Sequence, residues 1–265
     1  MDVTSMDSAA VLGTTPLHRT SPARKLIATG LVLASVVLAS DVFAIAGVAL
    51  AMVAVTAALG LPLRRMAPFS LYPAVFAAIF AFASAPGPVT ATLIVLKAIT
   101  AAYAVVTLMF TTPYPQVFAP LQRVTPSLVG DALLMTYRSL FILADKFSDL
   151  ARAMRLRAGL SGRHPFASAK ATTRALGGLL LYSFDLSQRE YDILRLRGYE
   201  RRLAVTTQPD TAPAAGMAAI LFGMAALAWT TLFRLLPRID GYAWIGAAIA
   251  LVLASTGLLL GRRSS

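Results

Sequence analysis

The sequence predicts an all-α integral membrane protein with about six transmembrane helices and two long amphipathic helices inserted between the fourth and fifth spans. Three observations predict it. The 265-residue chain is 57% hydrophobic, with a mean hydropathy of +0.70. Only 14% of its residues are charged, against about a quarter in typical soluble domains. Its apolar residues gather in runs long enough to cross a bilayer, which takes about 20 residues as helix, and a single long polar stretch interrupts them.

Residues 1–18, small and polar, read as a disordered N-terminal tail. Arg19, Arg24 and Lys25 precede an apolar tract from Leu26 to Leu61, broken near Ser40-Asp41. The tract is too long for one ordinary span, so it reads as two short helices with Asp41 in the turn. A secretory signal peptide with Leu26–Ala39 as its apolar core is the other reading; the second apolar run that follows at once counts against it. Leu61-Pro62-Leu63-Arg64-Arg65 ends the second span. The third runs from Met66 to Ser84 and stops at the breaker Ala85-Pro86-Gly87-Pro88. Val89 to Phe110 form the fourth, closed by Thr111-Thr112-Pro113. Residues 19–112 therefore hold spans one to four, and residues 113–212 form the polar insertion. Residues 213–265 hold spans five and six, Met217–Leu236 and Tyr242–Leu260, and a short basic tail.

With six spans, Arg19, Arg24, Lys25, Arg64, Arg65, the whole 113–212 region, Arg262 and Arg263 fall on one side. The opposite side receives Asp41, the uncharged Pro86-Gly87-Pro88 turn, and Arg238 with Asp240. Lys and Arg accumulate in cytoplasmic loops, so both termini and the insertion are expected in the cytoplasm of a multi-pass cell-membrane protein. Arg234 and Arg238 run against this trend, partly offset by Asp240.

The insertion contains fourteen of the twenty-four basic residues and eight of the twelve acidic ones. Pro126 is expected to break a short segment, Pro115–Val124, from a long helix starting near Ser127. Tyr137, Leu140, Ala144, Phe147, Ala151, Met154 and Ala158 recur at helical spacing as an apolar stripe, with Arg138, Asp145, Asp149 and Arg152 opposite. Such a helix needs an apolar floor and a wet roof, as at a bilayer surface. Gly162, Pro165 and Ser161–His164 mark a turn. A second amphipathic helix follows, its later part over Ser183–Arg197, with Asp185–Arg189 and Asp192–Arg195 spaced to pair along it.

Both helices end in the same chemistry. Arg155-Leu156-Arg157-Ala158-Gly159 and Arg195-Leu196-Arg197-Gly198-Tyr199 lie forty residues apart. Each places two guanidinium groups at the negative end of the helix dipole, and Gly198 suits the left-handed residue that closes a helix, a role open to Gly159 as well. Arginine presents a rigid five-donor fork for carboxylates and carbonyls. Taken singly, such arginines cap their helices and touch phospholipid headgroups. Twin ends suit a partner that presents two equivalent pockets, such as a pair of ATPase subunits.

Ser21-Pro22-Ala23-Arg24-Lys25-Leu26, Leu96-Lys97-Ala98, Thr111-Thr112-Pro113, Tyr137-Arg138-Ser139-Leu140 and Leu194-Arg195-Leu196-Arg197-Gly198-Tyr199 follow one another in that order. On these motifs rests a resemblance, over roughly residues 19–203, to the transmembrane T component of energy-coupling factor transporters, in particular the cobalt and nickel subgroup. It implies a membrane scaffold that couples two cytoplasmic ATPases of the ATP-binding-cassette type to a membrane-embedded, substrate-binding S component. The two amphipathic helices would be its coupling helices, each ending in an Ala-Arg-Gly-like docking motif. Carried over, Arg157 is the docking arginine of the first helix and Arg197 that of the second. Leu196 stands where the family usually has alanine, and Ala158 where the first motif often has glycine, so Arg155 stays a candidate for the first. Phe141, Phe147 and Met154 are expected to face the S component or to pack on the protein's own bundle.

The absence of cysteine removes disulfides, thiolate nucleophiles and Cys-based metal sites. His164 lacks neighbouring ligands, and no metal or other cofactor is expected. There is no phosphate-binding Gly-rich loop with Lys-Ser/Thr, so the chain should not hydrolyse ATP and is not expected to be an enzyme. The net charge of +12 points to cytoplasmic loops and anionic headgroups of the lipid bilayer rather than nucleic acid. Asp145, Asp149, Asp185, Glu190 and Asp192 read as solvated helix faces. Lys97 lies within an apolar span, where a charge demands a partner, and Asp41 lies at a similar depth; the two are expected to pair unless Lys97 snorkels. Three other readings compete: a vitamin importer's T component, a lipid-modifying membrane enzyme, and a recruitment anchor.

Overall fold

Helix is the only regular structure among the described residues of the computed structural model, which are 15–156, 165–199 and 210–235. These described residues form eight helices in order: α1 (Pro22–Leu38), α2 (Val42–Ala58), α3 (Leu63–Ser84), α4 (Pro88–Thr111), α5 (Tyr114–Val124), α6 (Ser127–Leu156), α7 (Pro165–Leu196) and α8 (Pro213–Leu235). The all-α expectation holds. By length and composition α3, α4 and α8 can each cross a membrane, and α2 is a shorter apolar helix. The expected sixth span, Tyr242–Leu260, lies outside the described residues, as do His164 and Arg262-Arg263.

The helix ends follow from local chemistry. Pro22 opens α1 and Pro88 opens α4, where a missing N–H costs nothing. Gly60 ends α2 at φ +71°, with its N–H on the Ala57 carbonyl and the Leu61 N–H on the Thr56 carbonyl. This is the Schellman closure, which only glycine adopts without strain. It folds Leu61 back into the core.

The chain divides into two units, Met1–Val117 with Thr206–Ser265, and Phe118–Val205. In the first, α1 packs on α8 and α4, α3 on α4, and α2 on α4 and α8. Val32, Met52, Met66, Tyr103, Val106 and Phe110 form its main core, and Val36, Ala39 and Ile45 a second. The α1–α8 seam depends on small residues. A Cβ on Gly223 would meet Leu31 Cβ at 2.9 Å and the Ala28 carbonyl oxygen at 3.0 Å; one on Gly216 would meet Thr20 Cγ2 at 2.5 Å. Helices without a hydrophobic drive between them pack through such residues.

One end of this unit is tied by polar contacts. Lys25, 4% exposed, donates from Nζ to the Thr111 carbonyl at 2.7 Å and the His18 carbonyl at 3.4 Å. His18 Nε2 reaches the Phe110 carbonyl at 3.0 Å. Arg24 pairs with Asp210 at 2.6 Å. Of the tail expected over 1–18, residues 1–14 lie outside the described residues, while Thr15 and His18 make contacts within this unit, because helix-end carbonyls of α4 need donors that His18 and Lys25 supply. Lys97 departs from expectation too. Its Nζ donates to the Val37 carbonyl at 3.4 Å, so its polar partner is the end of α1 and the expected ion pair with Asp41 is not its arrangement.

Candidate functional site

The two arginine-tipped helices of the second unit are the candidate site. Pro126 separates α5 from α6 where the sequence places the break. α7 is continuous from Pro165 to Leu196, the second helix expected after the turn with the Ser183–Arg197 stretch as its later part, and carries Gly177-Gly178 in its interior. Three contacts set α6 against α7: Tyr199 on Asp131, Ser139 on Glu190, and Lys146 Nζ 5.7 Å from the Tyr182 ring centre. As the α6 number rises the partner number falls by nearly the same step, so the helices run antiparallel. The Arg155 end of α6 and the Arg195 end of α7 therefore lie at opposite ends of one hairpin. Twenty-four residues separate Asp131 from Arg155, roughly 36 Å of helix at 1.5 Å per residue.

The α7 end is built as the sequence predicts. Gly198 has φ +69°. Its N–H donates to the Arg195 carbonyl at 3.2 Å, and the Tyr199 N–H to the Leu194 carbonyl at 3.1 Å, a Schellman closure like that at Gly60. Arg195, Arg197 and Gly198 are all exposed, and Leu196 is 88% exposed. Neither guanidinium engages a partner among the described residues, so both forks stand open to an outside acceptor. On α6, Arg155 is exposed in the last turn. Arg157 and Gly159 lie outside the described residues.

The Asp185–Arg189 pair forms at 2.7 Å, one helical turn apart; Asp192 and Arg195 do not close an ion pair among the described residues. Glu190 corrects its reading as a solvated residue. Its side chain is 13% exposed, accepts from Ser139 Oγ at 3.0 Å and lies 3.8 Å from Arg138 Nε. It shares a face with Leu186 and Leu194, each one turn away, and the three line a cleft of about 420 Å³ between α6 and α7. That apolar spacing is the signal for its inward position.

Asp131 is a functional candidate that charge patterning misses. It is 4% exposed, accepts the Tyr199 hydroxyl on Oδ2, and faces Gln122 Nε2 at 3.4 Å on Oδ1. Phe147 is exposed, while Phe141 and Met154 are half-buried. Leu140, Phe147 and Met154, seven residues apart, stack along one face; Phe141 lies about 100° round the helix, its ring edge-on to Tyr137 at 4.9 Å. No group of three or more His, Asp or Glu gathers as a metal site among the described residues.

A family model described as CbiQ, cobalt transport protein, matches residues 13–208. No curated protein matches the chain.

Proposed function

Because the chain belongs to the CbiQ family of cobalt transport proteins, a family of membrane transport proteins and not of enzymes, we propose that it is the transmembrane coupling subunit of an ATP-driven importer. In this reading two cytoplasmic ATP-binding-cassette ATPases grip the arginine tips of α6 and α7. Nucleotide-driven approach of the ATPases moves the tips, and the hairpin passes that motion to a membrane-embedded S component that binds the cobalt or nickel ion as cargo. Phe141, Phe147 and Met154 are the side chains assigned to that component.

The observation that carries the reading is the pair of open guanidinium forks, Arg195 and Arg197, on a glycine-closed helix end, with Arg155 in the matching place on α6. Two tips roughly 36 Å apart suit two separate sockets better than one. Orientation has support from the first unit. The start of α1, the end of α4 and the start of α8 are joined by Lys25–Thr111 and Arg24–Asp210, and Phe69 near the start of α3 packs its ring on Phe110 at 6.0 Å. Arg19, Arg24, Lys25, Arg64 and Arg65 therefore share the end of the unit at which the chain leaves for the insertion and returns from it. Positive charge concentrated there favours the cytoplasm for that end, and with it both termini of a six-span protein.

Co-purification of the two ATPases with full-length protein tests the reading. Arg155→Ala/Arg157→Ala and Arg195→Ala/Arg197→Ala are each expected to weaken association, and the fourfold variant to abolish both association and cobalt uptake. Full association by the fourfold variant sinks the docking role. Association without ATP-linked uptake in the wild type leaves only a recruitment anchor.

A further inference from the structure

The second arginine tip does not end freely. Its last residue, Tyr199, is tied across the hairpin to Asp131, sixty-eight residues earlier in the chain. We propose that Asp131 and Tyr199 form a clasp that positions the α7 tip, holding Arg195 and Arg197 in the attitude the ATPase socket meets. This rests on the docking reading above and adds the device that orients the tip.

Three observations converge on it. First, the Schellman closure fixes where Tyr199 begins: its N–H is already bound to the Leu194 carbonyl, so the ring leaves the helix end in one direction. Second, the acceptor at the far end is a carboxylate, 4% exposed. A buried carboxylate needs donors, and a hydroxyl bound to a charged oxygen is roughly twice as strong a contact as a neutral pair. Third, the carboxylate is itself braced. Its other oxygen faces Gln122 Nε2 on α5 at 3.4 Å, and Gly130 beside it leaves space that a side chain would take from Gln122. The α5–Pro126–α6 corner is thus the footing of the α7 tip.

The chemistry suits positioning and not contact. The Tyr199 hydroxyl and the Asp131 carboxylate are engaged within the hairpin corner, whereas the neighbouring guanidiniums engage no carboxylate among the described residues. A frayed tip would still carry two arginines, but each docking event would first have to order them, and that ordering weakens binding. Clasped, the forks are presented ready-made.

The test uses full-length protein in nanodiscs, with the purified ATP-binding-cassette ATPase pair of its own transporter as the probe. A spin label at Arg195→Cys reports tip mobility, and one at Arg174→Cys reports the same helix remote from the clasp. Tyr199→Phe removes one oxygen and is expected to raise mobility at 195 but not at 174, and to weaken ATPase affinity about five-fold in the protein without labels. Asp131→Ala is expected to match it, and Asp131→Asn, which keeps an acceptor oxygen, to restore most of the affinity. The Tyr199→Phe/Asp131→Ala pair should cost no more than either alone. If Arg195→Ala/Arg197→Ala abolishes binding while Tyr199→Phe changes neither mobility nor affinity, the clasp is overturned and docking stands. Raised mobility with unchanged affinity likewise overturns positioning. Should the arginine variant bind fully, both readings fall. If Asp131→Ala does not accumulate, Tyr199→Phe and Asp131→Asn carry the decision.

Discussion

Lys97, in the middle of α4, donates its ammonium to the carbonyl oxygen of Val37 at 3.4 Å, one residue before α1 ends. The last four carbonyls of a helix have no partner within it, and a cation there also meets the negative end of the dipole. A charge at mid-helix thus closes a short neighbour, α1, which stops after seventeen residues.

Replacing Lys97 by methionine keeps the stem and deletes the donor. The expected loss is about 1 kcal/mol, the net worth of one such hydrogen bond, seen as a lower thermal midpoint in detergent. Lys97→Arg should retain most of the stability. Equal midpoints for Lys97→Met and wild type would remove the capping role.

Gly223 admits the backbone of α1 to the surface of α8. A Cβ there would sit 3.0 Å from the Ala28 carbonyl oxygen, which is backbone and cannot swing aside. Gly223→Leu is expected to destabilise by about 1–3 kcal/mol through overpacking, with Gly223→Ala milder. Gly30 is the control: nothing lies within 4 Å of a Cβ built there, and Gly30→Ala in mid-helix should be neutral or stabilising by up to about 1 kcal/mol. Thermal unfolding of the three variants checks the order; Gly223→Leu unfolding at the wild-type midpoint would count against a tight seam.

Punctuation residues make much of this fold legible. Pro126 separates α5 from α6, Pro86-Gly87 separates α3 from α4, and Gly198 closes α7, because each acts through its own backbone and announces itself locally. Partners across space are harder to read. Lys97 suggests a carboxylate because sequence displays side chains, whereas its acceptor is a carbonyl exposed only once α1 ends. Gly216 and Gly223 look like ordinary small residues in an apolar run until α1 is seen lying on them. Charge alone makes Glu190 a surface residue, when its spacing from Leu186 and Leu194 carries the better information. Asp131 acquires meaning only when the hairpin brings Tyr199 to it.

Glu190 sits between the Asp131–Tyr199 and Lys146–Tyr182 contacts of that hairpin, and two contacts of unequal worth meet it. Ser139 donates at 3.0 Å to a largely buried carboxylate, while the Arg138 side chain is 64% exposed and lies at 3.8 Å. Solvent screens the second. Glu190→Ala is expected to cost about 1–2 kcal/mol and to broaden the distance distribution between spin labels at positions 152 and 174. Arg138→Ala should leave both unchanged within error. Equal effects of the two variants would mean that exposure does not rank these contacts.

Gly60 and Gly198 offer a paired experiment on the arginine tip. Both sit in the left-handed region, at φ +71° and +69°, and both close a helix with the same two hydrogen bonds. A Cβ at either position would meet nothing within 4 Å. An alanine there carries only the conformational penalty, about 1–2 kcal/mol. Gly60 follows an apolar helix with no tip to present, whereas Gly198 follows Arg195 and Arg197. Gly60→Ala and Gly198→Ala should therefore lower the thermal midpoint by similar amounts. Only Gly198→Ala should also weaken the ATPases' hold, because opening the closure releases Tyr199 and lets the last turn unwind. Titration of the ATPase pair against both variants separates the two outcomes. Equal affinities for the two would mean that the closing glycine shapes the helix without shaping the contact, and that the arginines reach their partner from a loosened end as well as from an ordered one.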